Sequence, residues 1–283
     1  MAVPPLVASY YTLAGFRPMD GPHQPSPIDL RQRIEAAAKA GYAGIGTDVM
    51  DLMASVERHG HDGIRAMLED NGLTHFEVEG MGDWYASGAG RAASDAARRE
   101  VLIAAEKIGV TQIKVTGNIA GRSHPVATMR TEFATLAGQA ANAGSRLTLE
   151  IVCISDIADV ATALEVVGDT AATNGGFLAD IWHFVRGHQP YDTILAAPQG
   201  TMAWVELDDG AAKPTGSIIS EQLDDRRLPG EGAFDITGFL AAVRQSGYTG
   251  GVGVEILSDR LRALPVEEAA RLSFESAARQ FIN

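Results

Sequence analysis

Short apolar, β-branched runs recur along the chain, and each is followed by a longer stretch whose apolar residues return at helical spacing and which ends in glycine. "LVASYYTL" is the first run. After a proline-rich loop comes the helical stretch "PIDLRQRIEAAAKAG", with Pro27 near its start and Gly41 just past its end. "AGIGTDV" follows, with a helix from about Asp51 to Glu69 stopped by Asn71 and Gly72. The third and fourth units are "LTHFEVEGM" with "SDAARREVLIAAEKIG" and "TQIKVTG" with "MRTEFATLAGQAANAG". The fifth pairs "RLTLEIV" with "DIADVATALEVVG", and the sixth pairs "GGFLADIWH" with a short helix near residues 191 to 197. "MAWVELDDG" is the seventh run, and "GVGVEIL" the eighth, closing before "PVEEAARLSFESAARQFI".

Strands alternating with helices predict a parallel sheet, and eight units is the number that closes a (β/α)8 TIM barrel. A doubly wound open sheet is the alternative. It usually has fewer units and a glycine-rich phosphate loop after its first strand, and "TLAGFRPMDG" lacks that spacing. The 283 residues suit one barrel, which takes about 250, and no low-complexity linker divides them, so residues 1–283 are expected to form a single domain.

Into these apolar runs the chain sets acids. In a barrel, alternate side chains point inward and the C-terminal strand ends form the active-site mouth. In "GGVGVEIL" Gly251, Gly253 and Glu255 share one face while the aliphatic residues share the other, which turns Glu255 inward. Asp180 is in phase with Gly176 and Leu178, Glu206 with Asp208, and Glu150 with Thr148. Four consecutive strands thus each place one carboxylate, Glu150, Asp180, Glu206 or Glu255, near the same end of the interior. Like charges so close repel, and any one of them could be offset by an Arg or Lys at a strand end. A divalent cation resolves all four at once, and oxygen ligation without cysteine favours Mn²⁺ or Mg²⁺, with Co²⁺ or Zn²⁺ as further candidates.

Other polar residues carry weaker signals. Lys114 ends the fourth strand, where it either lines the site or compensates its charge. Arg186, and Arg227 before "LPGEG", are placed to clamp a carboxylate, phosphate or hydroxyl. Trp182 and Trp84 offer faces for a sugar-like ring, though large aromatics more often serve as core. Glu77 and Glu79 share a face of the third strand, so at least one is expected at the mouth. His59 and His61 read as a solvated turn.

Charge and composition then narrow the partners. With 23 basic against 36 acidic residues the net charge is −13, which repels nucleic acid and anionic membrane surfaces. A single cysteine, Cys153, excludes an internal disulfide and fits a reducing compartment. No run approaches the ~18 apolar residues of a membrane span, and "MAVPPLVASYYTLAG" has no secretory pattern, so a cytoplasmic protein is expected.

The segments "LTLE", "LADIWH", "RRLPGEGAFDITGF" and "GYTGGVGVEI" resemble the xylose isomerase-like TIM barrels, a family of sugar phosphate isomerases and epimerases, over nearly the whole chain. The resemblance implies one divalent metal held by Glu150, Asp180, Glu206 and Glu255. It departs at Glu206, since "VELDDG" stands where "VHLKDG" would be usual, and Asp208 is the alternative ligand there. It also implies Glu150 and Glu255 as an acid/base pair, with His183 and Arg227 on substrate oxygens. A metal that polarises a carbonyl acidifies the adjacent carbon-bound proton, which a carboxylate in reach removes. The implied reaction is isomerisation or epimerisation of a small sugar or polyol-derived ketone through an enediolate. Dehydration of a keto-polyol such as an inosose or dehydroshikimate is the alternative, and a non-catalytic sugar-binding barrel the second. Seven histidines, few of them at strand ends, and the charge of −13 argue against the histidine-rich endonuclease branch. Family members form homodimers or homotetramers.

Overall fold

The computed structural model describes residues 2–15, 24–119, 124–214 and 216–282. Eight strands, β1 (Leu6–Ala8), β2 (Gly44–Asp48), β3 (His75–Met81), β4 (Gln112–Thr116), β5 (Arg146–Glu150), β6 (Gly175–Asp180), β7 (Met202–Leu207) and β8 (Val252–Val254), close into one parallel barrel in sequence order. The doubly wound alternative is thereby excluded. Every residue of β1, β2, β6, β7 and β8 is buried, as a parallel sheet covered on both faces requires.

The connecting helices are α1 (Tyr10–Leu13), α2 (Leu30–Ala40), α3 (Val49–Asp70), α4 (Arg91–Ala104), α5 (Val126–Asn142), α6 (Val160–Val167), α7 (Ile181–Arg186), α8 (Asp192–Ala196), α9 (Ile218–Asp224), α10 (Ile236–Gln245), α11 (Asp259–Arg262) and α12 (Val266–Arg279). By internal packing the chain forms two units, residues 1–76, 206–237 and 250–283, and residues 77–205 and 238–249.

In the first unit β1 pairs with β2 (Val7 with Gly44, Ala8 with Ile45) and with β8 (Leu6 with Val252, Ala8 with Val254). Gly44 has no room for a side chain: a Cβ there would sit 2.3 Å from the His75 Cβ and carbonyl oxygen. Asp29 caps α2 by accepting from the Arg31 N–H, and Gly41 ends the helix with φ 107°, a left-handed conformation open to glycine. α12 packs on α2, with Tyr42 edge-on to Phe274 and its hydroxyl on Ser273 Oγ at 2.8 Å.

In the second unit β4 and β5 pair residue for residue from Gln112–Arg146 to Thr116–Glu150, and β5 continues onto β6 with Glu150 opposite Leu178. The β3–β4 register slips between Val78 and Met81. Trp84 and Phe133 are wholly buried and meet edge to face. The Trp84 indole N–H donates to the Thr116 carbonyl at 2.8 Å, which ties the loop after β3 to the end of β4.

Several strands are shorter than the apolar runs predict. The first run, "LVASYYTL", yields only three strand residues, because the chain turns helical at Tyr10. Likewise "GGFLADIWH" stops at Asp180, whose carboxylate accepts from the Trp182 N–H at 2.8 Å and caps α7. Periodicity alone cannot place these ends, since a buried helical turn is as apolar as a buried strand.

Candidate active site

The second unit contributes Glu150, Asp180 and His183. Glu150 is the last residue of β5 and Asp180 the last of β6. With Asp180 Oδ1 engaged at the helix cap, Oδ2 lies 3.8 Å from His183 Nε2, and Glu150 Oε1 lies 3.5 Å from the same nitrogen. The Cys153 N–H donates to His183 Nδ1 at 3.3 Å. This bond assigns the neutral-ring proton to Nε2, aimed at the two carboxylates. The three side chains each offer an atom to one point. Trp182 is wholly buried and stands edge-on to His183, with ring centroids 5.0 Å apart. It packs the histidine rather than presenting a free face.

Lys114 lies on β4 with its side chain 1% exposed, its ammonium 2.7 Å from Glu77 and 3.7 Å from Glu79. Gln112 completes the group by donating to Glu77 at 3.3 Å. The two acids that the sequence places on one face of β3 are therefore bound to this lysine. Arg186 ends α7 and is buried. Tyr85 donates to Asp156 at 2.9 Å and accepts from the Asn118 N–H, joining the loops after β3, β4 and β5. Burial and the Asp156 carboxylate push the Tyr85 hydroxyl above its ordinary range, so it stays protonated.

The first unit contributes Glu206, Asp208, Glu255 and an arginine. Glu206, near the end of β7, accepts from the Ser9 hydroxyl at 2.9 Å. Glu255 follows β8 directly. Asp208 Oδ2 accepts from Arg226 Nη1 at 2.7 Å, and the same nitrogen lies 3.1 Å from Glu255 Oε2. All three side chains of that ion-paired group are buried. Asp208 is thus held by an arginine, and Glu206 by the Ser9 hydroxyl.

Sequence reasoning singled out Arg227 and missed Arg226. The segment carrying both is bridged on each side, Asp209 to Arg227 and Asp225 to Ser258. The bridges put Arg226 on the carboxylates and leave Arg227 anchored there by its backbone, whose N–H and C=O both bond Asp209. The loop that follows is folded around the Asp209 carboxylate, which accepts from the N–H groups of Gly210, Gly230, Gly232 and Phe234. A Cβ at Gly232 would lie 2.1 Å from Asp209 Oδ1, which explains the glycine in "PGEGAF". His59, read as part of a solvated turn, instead sits 3.0 Å from Asp29.

Within the second unit, Glu150, Asp180 and His183 each offer one ligand atom, and these atoms all lie within 4.8 Å of one another. Two oxygens bound to one Mg²⁺ or Mn²⁺ at about 2.0–2.2 Å are at most about 4.4 Å apart. Ligand atoms spaced like those of Glu150, Asp180 and His183 therefore fit such an ion with small side-chain adjustments.

The family model for the xylose isomerase-like TIM barrel matches residues 34–279. The chain belongs to that family. This xylose isomerase-like barrel is 26% identical over 250 residues to a 3-dehydroshikimate dehydratase of Pseudomonas aeruginosa, an alignment covering 85% of the present chain and 38% of the dehydratase. It is 29% identical over 107 residues to an inosose isomerase of Bacillus subtilis, covering 38% and 37% of the two chains. The chain thus spans well under half the length of these relatives. Among solved structures, the IOLI protein with a bound zinc atom superposes with a TM-score of 0.85 at 18% identity, covering 97% of both chains. D-allulose 3-epimerase from Methylomonas sp. in complex with D-allulose superposes at 0.74, 18% identity and 99% of both chains. At such identities these two structures speak to the fold alone. Among the described residues no helix is long and apolar enough to cross a membrane.

Proposed function

We propose that this barrel is a divalent-metal-dependent isomerase or epimerase of a small polyhydroxylated ketone. The observation that carries the reading is the grouping of Glu150, Asp180 and His183, whose ligand atoms lie within 4.8 Å of one another, because two carboxylates so close repel one another unless a cation lies between them; Glu206 and Glu255 are the further ligands in this reading. Mn²⁺ or Mg²⁺ is the preferred ion, since the all-oxygen set suits hard cations. A divalent ion held there supplies Lewis acidity toward a carbonyl and its neighbouring hydroxyl.

The protein's own groups do the rest. Glu150, whose side chain is 12% exposed, takes the carbon-bound proton of the substrate, and Glu255 returns one. His183 donates from Nε2 to a substrate oxygen, its ring held by Cys153 and Trp182. Arg226 offsets part of the negative charge on the side of Asp208 and Glu255.

A second reading is favoured by the extent of the alignment to the dehydratase, 85% of the chain. The same proton abstraction leads to loss of water when a hydroxyl stands β to the carbonyl and an acid beside it. Mn²⁺-loaded protein incubated in D₂O with D-allulose, an inosose or 3-dehydroshikimate separates the readings by mass spectrometry. Deuterium gained at carbon without loss of water supports the isomerase, and loss of water supports the dehydratase. Glu150→Gln is expected to abolish exchange with the fold retained. Full exchange in that variant, or no reaction of the parent with any of the three, refutes the assignment.

A further inference from the structure

We infer that the segment after β1 is a hydroxyl bracket that positions two of the four metal-facing carboxylates, with Ser9 and Thr12 as its positioning residues. The inference rests on the metal-centre reading above. Ser9 is wholly buried; its hydroxyl donates to Glu206 Oε1 at 2.9 Å and its backbone N–H donates to the Val254 carbonyl at 3.1 Å. Thr12 is 1% exposed, and its hydroxyl donates to the same Val254 carbonyl at 2.7 Å while accepting from the Ile256 N–H at 2.9 Å. The peptide groups on both sides of Glu255 are thereby tied to one threonine.

That tie compensates for a weak point in the sheet. β8 ends at Val254, and the Glu255 N–H reaches the Leu207 carbonyl only over 3.3 Å. Glu255 hangs just past the ladder, where the backbone would otherwise be free to shift. The helical turn α1 exists to bring Thr12 back over β8, which a continued strand could not do. Ser9 acts on the other ligand: its hydroxyl fixes the orientation of the Glu206 carboxylate through Oε1.

A bracket of this kind sets the spacing of oxygens around the ion. Small ions that demand near-octahedral geometry feel such spacing more than Ca²⁺, which accepts irregular and bidentate ligation. Partners of this type, one bond removed from the metal, change affinity by about 10- to 100-fold when lost. The test is calorimetric titration of the chelator-stripped chain with Mn²⁺ and with Ca²⁺. Ser9→Ala and Thr12→Val should each weaken Mn²⁺ binding about 10- to 100-fold, with a smaller change for Ca²⁺, while Thr12→Ser binds like the parent. Parent-like Mn²⁺ affinity in both Ser9→Ala and Thr12→Val overturns the bracket, as does equal loss for the two ions, which marks a merely structural role. If Ser9→Ala does not fold, the Thr12→Val and Thr12→Ser pair decides alone, since equal affinities in the two remove the hydroxyl from the argument. A parent that takes up neither Mn²⁺, Mg²⁺ nor Zn²⁺ sinks the metal centre itself, a result visible before any variant is compared.

Discussion

Arg226→Met puts the charge balance of the acidic cluster to a direct test. The guanidinium is 1% exposed and lies 2.7 Å from Asp208, itself 0% exposed, and 3.1 Å from Glu255, 6% exposed. Methionine fills much of the arginine stem, so the loss is electrostatic rather than a cavity. Removing one partner of a buried ion pair costs about 3–5 kcal/mol, because the charge left behind is desolvated without compensation. In a chain of this size about 1 kcal/mol moves Tm by about 2 °C, giving a fall of about 6–10 °C. Urea unfolding of the metal-free chain at pH 7 measures the difference. Adding Asp208→Asn to the variant should restore part of it, since one stranded charge is then gone, and Mn²⁺ should stabilise Arg226→Met more than the parent. A variant within about 1 kcal/mol of the parent, with no coupling to Asp208, would refute the idea that this arginine neutralises the cluster.

Two further substitutions probe other charges of the chain. Lys114→Met leaves Glu77 buried without its cation and should cost about 3–5 kcal/mol in urea unfolding, with a smaller loss in the double variant Lys114→Met/Glu77→Gln, where no charge is stranded. Asp29 gives a pH dependence: burial pushes its carboxyl up, but hydrogen bonds from Arg58, the Arg31 N–H and His59 outweigh this and hold it at about 2, against 3.8 ordinarily. Its folded-state pKa is depressed, so its contribution is complete above pH 3.8 and is lost as pH falls through about 2. The shift corresponds to at most about 2 kcal/mol at pH 7, because the side chain is a quarter open to solvent, and to about half of that at pH 3. Asp29→Asn, which keeps the helix cap, should therefore lie below the parent at pH 7 and close the gap as the pH falls from 4 to 2; a pH-independent gap contradicts the charge assignment.

The fold was readable because its evidence is local and repeated. Each strand and helix announces itself within a few residues, and counting the units gives the barrel. Glu150, Asp180, Glu206 and Glu255 stand out as candidates for the same reason: alternation within a strand fixes which side chains share a face, and an acid among aliphatic residues is conspicuous. Strand ends were not readable at Tyr10 and Ile181, where an apolar run continues from strand into helical turn with no change of pattern. Nor was the role of Lys114, which depends on Glu77 and Glu79 lying beside it on the neighbouring strand.

By itself the sequence determined how many strands there are, their order, and which of them end on or beside an acid, all properties of short windows. Only the tertiary structure decided which arginine meets those carboxylates and what holds them still. Arg226 rather than Arg227 is chosen by bridges to Asp209 and Ser258, and Ser9 and Thr12 reach partners 197 to 244 residues away along the chain. Such contacts arise when β1 closes against β8, and a hydroxyl whose partner is supplied by ring closure leaves no trace in its own neighbourhood.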